Sequence, residues 1–281
     1  MFKDDLLQNR TILVTGGGTG LGKAMAGRFS ELGAQVVIAS RKLPVLEQAT
    51  QEITAITGNP VLPLQLDVRR YREVEAVLKQ AVERFGSVDG LVNNAAGNFL
   101  SPTEQLSPKA FDTIIDIVLR GSIYCSLVLG KYWIAEKRPG TVLNIITTYA
   151  DTGSGYVVPS AVSKAGVLNL TRSLAAEWGH HGIRTNAIAP GPIPTKGAWQ
   201  RLVPDAAAEE RLRQRIPMRR LGNQAELADL AVYLMSDAAG FINGEVVTID
   251  GGEWLAGAGQ FNFLDRLSPE DWQQLSGKLR R

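Results

Sequence analysis

A doubly wound parallel sheet, about seven strands with helices on both faces in a single α/β domain, is the fold that this sequence predicts. Three observations predict it. Seven short runs are apolar almost without interruption, as strands buried on both faces must be. Segments of helix length and helical apolar spacing alternate with them. Glycines stand where those segments end, at Gly33, Gly58, Gly86 and Gly179.

The first run, TILVTG at 11–16, overlaps the glycine-rich stretch TGGGTGLG at 15–22 and leads into a helix over 21–32. QVVIAS (35–40) precedes a helix over 43–57, and VLPLQLD (61–67) one over 70–85. GLVNNAA (90–96) precedes a long apolar helix at 108–136, and TVLNII (141–146) a second at 161–178. RTNAIAP (184–190) and EVVTID (245–250) complete the strands, with a helix over 224–236 between them. The rhythm breaks at 191–223. An insertion of that length beyond a strand end reads as a lid or binding loop. The domain core is thus 8–255, with a C-terminal tail over 256–281 in which SPED opens a short helix at 267–279.

Composition narrows the function classes. The 281 residues are 44% apolar and 21% charged, enough for a sizeable core. A net charge of +2 argues against bulk attraction to nucleic acid or membrane. Cys125 is the only cysteine, which leaves no intrachain disulfide or cysteine metal cluster and fits a reducing compartment. His180 and His181 lack a ligand partner at metal spacing, so no metal site is expected. No apolar run of membrane-spanning length stands out, and the N-terminus has no apolar signal core, so a cytoplasmic protein is expected.

The chemistry starts at the glycine-rich turn. Gly16, Gly20 and Gly22 let backbone amides approach a pyrophosphate at the positive end of the first helix, and Gly17, Gly18, Thr19 and Leu21 complete that turn. The second strand ends IASRK. An acid there would hold ribose hydroxyls, whereas a 2′-phosphate asks for a guanidinium, so Arg41 with Lys42 beside it points to NADPH. Asp67 and Val68 close the third strand, and Asn94 and Ala95 the fourth, at positions that flank adenine and ribose.

The glycine pattern, Asp67, NNAAG at 93–97, SxxxK at 160–164, PGPI at 190–193 and NGEVVTIDGG at 243–252 resemble the short-chain dehydrogenase/reductase family over roughly residues 8–255. The resemblance implies a Rossmann-type fold and a nicotinamide cofactor touched by Lys164, Pro190, Gly191, Pro192 and Ile193. The family's usual catalytic set is Asn, Ser, Tyr and Lys, and the matching positions here hold Val118, Thr147, Ser160 and Lys164. Only the lysine is unchanged. Ser160 lies four residues before it, on the same helix face, but is a poor acid and too short to reach as a tyrosine does.

A carbonyl reductase needs its donor beside the nicotinamide, where charge appears on the carbonyl oxygen. In a conjugated thioester, hydride adds to the far carbon and charge flows to the thioester oxygen several atoms away. The donors must move with it. Asn98, directly after the fourth strand, and Tyr149, just after the fifth, stand on loops over the crevice, and together they can donate two hydrogen bonds to one enolate oxygen. NNAAGNFLSPTEQLS, ADTGSGYVVPSA, SLAAEWG, PGPIPTKGA and RIPMRRLG resemble the 2,4-dienoyl-CoA reductases of the short-chain family. In that group serine replaces the usual tyrosine, and a tyrosine of the preceding loop acts with an asparagine. The resemblance therefore implies Tyr149 and Asn98 as the main donors, with Ser160, Lys164 and Thr147 beside them. It also implies Arg41, Arg69, Phe99, Ser107 and Arg201 as contacts of an acyl-CoA substrate, and a homotetramer formed by the helices at 108–136 and 161–178.

The connection 196–220 has seven Lys and Arg against three Asp and Glu, an excess that suits coenzyme A phosphates and equally a solvated helix face. Two alternatives remain open. The chain could be another enoyl- or oxoacyl-thioester reductase, or, given Val118 and Ser160, a non-catalytic NADP(H)-binding sensor.

Overall fold

The computed structural model describes residues 2–196, 199 and 203–279. Among them, seven strands form one sheet: β1 (Thr11–Thr15), β2 (Gln35–Ser40), β3 (Val61–Gln65), β4 (Gly90–Asn93), β5 (Gly140–Ile145), β6 (Ile183–Pro190) and β7 (Val246–Ile249). The order is β3-β2-β1-β4-β5-β6-β7, and every neighbouring pair is parallel. The order reverses between β1 and β4, which opens a crevice beyond the carboxyl ends of those strands.

Residues of β1 alternate between the two faces. Ile12 and Val14 meet Met25 and Phe29 of α1 (Gly20–Glu31), Leu46 of α2 (Leu43–Thr57) and Leu227 of α9 (Gln224–Met235). Leu13 instead meets the opposite layer, where α3 (Tyr71–Phe85) brings Val77 and Ala81, and α5 (Gly121–Ala135) brings Leu129 and Trp133. Both faces are covered, which is why the strands are apolar at consecutive positions.

The segment expected as one helix over 108–136 is not regular. α4 (Pro108–Ile115) passes through a π-helical turn at Asp116–Arg120 into α5. Gly121 backs onto Val68, whose Cγ2 would stand 2.6 Å from an added Cβ, and the Ser122 hydroxyl donates to the Val118 carbonyl at 2.7 Å. By length and composition Pro108–Ala135 is apolar enough to cross a membrane, with a mean hydropathy of 1.5. Here that apolarity serves the core: Cys125, Leu129 and Trp133 are fully buried.

Periodicity did not reveal four features around the crevice. α6 (Tyr149–Thr152) is a single turn, and α7 (Val158–Trp178) starts earlier than expected, with Pro159 in its first turn, so Ser160 is helical. α8 (Ala206–Arg215) lies inside the 191–223 connection, capped by the Asp205 carboxylate, which accepts from the Ala208 amide at 2.7 Å. α10 (Glu253–Ala258) follows β7. The tail does form a helix, α11 (Pro269–Leu279), opened by reciprocal bonds between Ser268 and Asp271.

Candidate active site

The turn after β1 is shaped by glycine where nothing else fits. Gly16 and Gly20 have φ of 67° and 53°, in the left-handed region. Gly22 is in the first turn of α1, and a Cβ there would overlap the Gly16 carbonyl and the Asn94 amide. A Cβ on Gly17 would press Ile38 at 2.7 Å. The result is a cradle of backbone at the N-terminus of a twelve-residue helix whose first turn has no acidic side chain, a place suited to a pyrophosphate. Leu21, in the first turn of α1, is half-buried against the core cluster that includes Met25 and Phe29.

Asn94 holds that cradle to β4. Its side-chain amide donates to the Thr15 carbonyl at 3.0 Å, and the amides of Asn94 and Ala95 both donate to the Thr15 hydroxyl. Beneath it, Asn93 donates to Asn144 at 2.9 Å, and Asn144 to Thr171 at 2.9 Å, so a buried polar chain locks β4, β5 and α7 together.

At the end of β2, Arg41 and Lys42 are exposed, and Arg41 lies near enough to Asp67 to favour its ionised form. Asp67 and Arg69, expected at separate ligand contacts, bind each other: Arg69 Nε donates to Asp67 Oδ1 at 2.9 Å and Nη2 to Oδ2 at 2.5 Å. The guanidinium holds the Asp67 carboxyl below the usual carboxylate range, and the carboxylate raises Arg69 in turn. Val68 is buried against Gly121, so its side chain belongs to the core.

Lys164 and Ser160 are 6% and 3% exposed on one face of α7. The Lys164 ammonium donates to the Ile145 carbonyl at the end of β5, and burial pushes it down to about 8. The Tyr149 hydroxyl lies 3.2 Å from the Ser160 hydroxyl. The Thr147 hydroxyl is buried and has no hydrogen-bond partner among the described residues. Three hydroxyls and one cation thus converge at the ends of β5 and the start of α7. Val118 fills the remaining position of the family set with a buried apolar side chain inside the π turn.

Asn98 accepts from the Phe99 amide at 2.9 Å, an arrangement that leaves its NH2 able to donate outward. It does not line the cavity described below, but its loop is joined to the Tyr149 loop, because Ser101 donates to the Tyr156 carbonyl at 3.0 Å. Phe99 packs on the cluster containing Ile146 and Ala150. Ser107 caps α4, accepting from the Ala110 amide at 3.2 Å.

A cavity of about 570 Å³ opens beside Thr147 and Tyr149. Pro190, Gly191, Pro192 and Ile193 line it from the end of β6 and the residues just after it, Trp199, Val203 and Leu212 from the connection, and Trp254 from α10. Arg201 lies outside the described residues. The excess positive charge of the connection is largely matched across the fold. Arg215, Arg219 and Arg220 pair with Glu253, Asp265 and Glu226, at 3.3, 2.8 and 2.6 Å, and Arg213 pairs with Glu209 at 2.8 Å. A local charge count could not anticipate this, because the partners of Arg215, Arg219 and Arg220 lie outside the segment.

The nucleotide cradle at a doubly wound switch point, with the Lys164 face beside it, defines a dinucleotide-dependent oxidoreductase. A family model described as enoyl-(acyl carrier protein) reductase matches residues 16–253, and the chain belongs to the short-chain dehydrogenase/reductase family, whose nicotinamide cofactor the cradle fits. Within it, the chain is similar to a Bacillus subtilis protein named "Probable 2,4-dienoyl-CoA reductase [(2E)-enoyl-CoA-producing]", at 45% identity over 89% of this chain and 98% of that one. It is 42% identical, over 100% of this chain and 92% of the relative, to a Caenorhabditis elegans protein named "Probable 2,4-dienoyl-CoA reductase 3 [(3E)-enoyl-CoA-producing]". The crystal structure of a short chain dehydrogenase from Bacillus anthracis superposes with a TM-score of 0.82, at 43% identity over 91% of this chain and 99% of that one. The non-catalytic alternative therefore falls: this is an enzyme.

Proposed function

We propose that the protein reduces 2,4-dienoyl-CoA to enoyl-CoA with NADPH, a step in the β-oxidation of unsaturated fatty acids. One observation carries the reading: the Tyr149 hydroxyl stands in the lining of a largely apolar cavity, 3.2 Å from Ser160, on the loop that precedes the family's lysine helix. A bound nicotinamide supplies the hydride. Tyr149 and Asn98 donate to the thioester oxygen, where charge collects after addition to the far end of the diene, and a proton taken up from water at carbon completes the enoyl-CoA. Ser160 orients the Tyr149 hydroxyl, and the Thr147 hydroxyl is a further donor at the same strand end. Lys164 holds the cofactor ribose.

Arg41 and Lys42, exposed at the end of β2, take the 2′-phosphate, which is the support for NADPH over NADH. Arg41, Phe99, Ser107 and Arg201 contact the coenzyme A portion, and Arg69 does so through the edge of its guanidinium that Asp67 does not bind. Exposed Ile123 on α5 and Val162 on α7 support a homotetramer built on those helices.

The test follows NADPH consumption with 2,4-hexadienoyl-CoA, crotonyl-CoA and acetoacetyl-CoA in parallel, with product identification. The dienoyl thioester should be reduced at least about tenfold faster than either other, equivalent to 1.4 kcal/mol. Comparable reduction of acetoacetyl-CoA would instead make the protein an oxoacyl-thioester reductase.

A further inference from the structure

Among the described residues lining the active-site cavity, two carry formal charge, Glu253 and Arg215. Their environments differ. The Glu253 side chain is 14% exposed and the Arg215 side chain 68%, with 3.3 Å between Arg215 Nη2 and Glu253 Oε1. The guanidinium stays in water while the carboxylate is embedded in the wall beside Trp254. Burial raises the Glu253 carboxyl, against the opposing pull of Arg215, and nearby Asp250 raises it further. One turn along α10, on the same face, an added Cβ on Gly257 would meet nothing within 4 Å, so open space continues past the carboxylate.

The reduction itself gives this carboxylate no task. Donors are needed at the thioester oxygen, and an anion there would oppose the charge that develops. Position supplies a different role. Tyr149 lies four residues after the end of β5, and Glu253 four residues after the end of β7. With β6 between them, the two strands from which these segments start are two strand spacings, about 10 Å, apart. An extended chain advances about 1.2 Å per bond, so roughly eight bonds lead from a carbonyl held by Tyr149 to the neighbourhood of Glu253. The described wall of the same cavity includes the apolar side chains of Ile193, Trp199, Val203 and Leu212. A hydrocarbon chain gains from each methylene laid there, until the next one would strip the remaining water from a half-compensated carboxylate.

We infer that Glu253 sets the acyl chain-length limit of the enzyme, accepting chains of roughly eight to ten carbons and rejecting longer ones. The inference rests on the proposed dienoyl-thioester reading and deepens it.

The experiment measures kcat/KM with NADPH for 2,4-dienoyl-CoA substrates of six, eight, ten, twelve and fourteen carbons, in the full-length protein and in Glu253→Leu and Glu253→Gln. The unaltered enzyme should improve by up to about fourfold per added methylene at first, then decline beyond ten carbons. Glu253→Leu should move the decline to longer chains and raise the fourteen-to-eight-carbon ratio at least about tenfold. Glu253→Gln, which keeps the shape and removes the charge, should shift the ratio in the same direction and guards against misfolding of the leucine variant. Parallel profiles in all three proteins would overturn the inference, as would an equal loss at every length, which would leave Glu253 as a tie for Arg215. Reduction of no dienoyl-CoA by the unaltered enzyme is a different result, which overturns the substrate reading and this inference with it.

Discussion

The Tyr149 hydroxyl and the Ser160 hydroxyl are 3.2 Å apart, joining the loop after β5 to the first turn of α7. The serine thus stands in the position of a tyrosine yet touches one. If the tyrosine donates to the thioester oxygen and the serine only orients it, Tyr149→Phe should lower kcat by about 10²–10³ with little change in KM. Ser160→Ala should cost less, and Asn98→Ala should resemble Tyr149→Phe. Steady-state kinetics on the three variants decides it. Full activity in Tyr149→Phe together with a dead Ser160→Ala would make the serine the donor.

Cofactor choice rests on the exposed guanidinium at the end of β2. Arg41→Ala should erase most of a preference for NADPH over NADH of at least about tenfold, roughly 1.4 kcal/mol. The ratio of kcat/KM for the two cofactors reads this directly. Equal use of both by the unaltered protein would remove Arg41 from the site.

Lys164 carries a pH dependence with a definite sign. Burial brings it to about 8 from its ordinary 10.5. Below about 8 it is charged in both folded and unfolded chains, and the folded state bears the full cost of the buried cation. Between about 8 and 10.5 the unfolded chain holds a proton that the folded one has released, so this group makes stability rise with pH through that window. Lys164→Met should flatten that rise in thermal unfolding. Affinity for the anionic dinucleotide should move the opposite way in the unaltered protein, falling from pH 7 to pH 9, while Lys164→Arg should hold it constant in fluorescence titrations.

The glycine cradle separates two kinds of glycine. In Gly22→Ala the new Cβ would overlap the Gly16 carbonyl, so about 1–3 kcal/mol of stability should be lost together with dinucleotide affinity. Gly58 also has a positive φ, 73°, but an added Cβ there meets nothing within 4 Å. Gly58→Ala should therefore cost only about 1–2 kcal/mol of backbone strain and leave dinucleotide affinity unchanged. Denaturant unfolding paired with cofactor titration distinguishes the two.

The cradle was legible because part of its geometry is local: Gly16 and Gly20 need a positive φ and Gly22 backs onto the Gly16 carbonyl, although Asn94, Ala95 and Thr195 close around them from far along the chain. Lys164 and Ser160 were legible as a pair for the same reason, since a spacing of four puts them on one helix face. Arg69 was not. The family resemblance implied it as a ligand contact but gave no sign that a carboxylate two residues away binds one edge of its guanidinium. The cationic surplus of the connection was likewise an incomplete guide, because Glu226, Glu253 and Asp265 match much of it from later in the chain.

By itself the sequence determined the parallel sheet and the end of it that takes the cofactor. Strands buried on both faces must be continuously apolar, and only glycine accepts the backbone that a pyrophosphate turn requires. Tertiary structure decided which polar side chains remain available once the chain has folded. It joined Tyr149 to Ser160, left the Thr147 hydroxyl without a partner among the described residues, and set Glu253 in the cavity wall with its cation outside in water. Residues distant in sequence meet only through the crossing of strands and helices, and desolvation acts on a group according to what surrounds it rather than what precedes it.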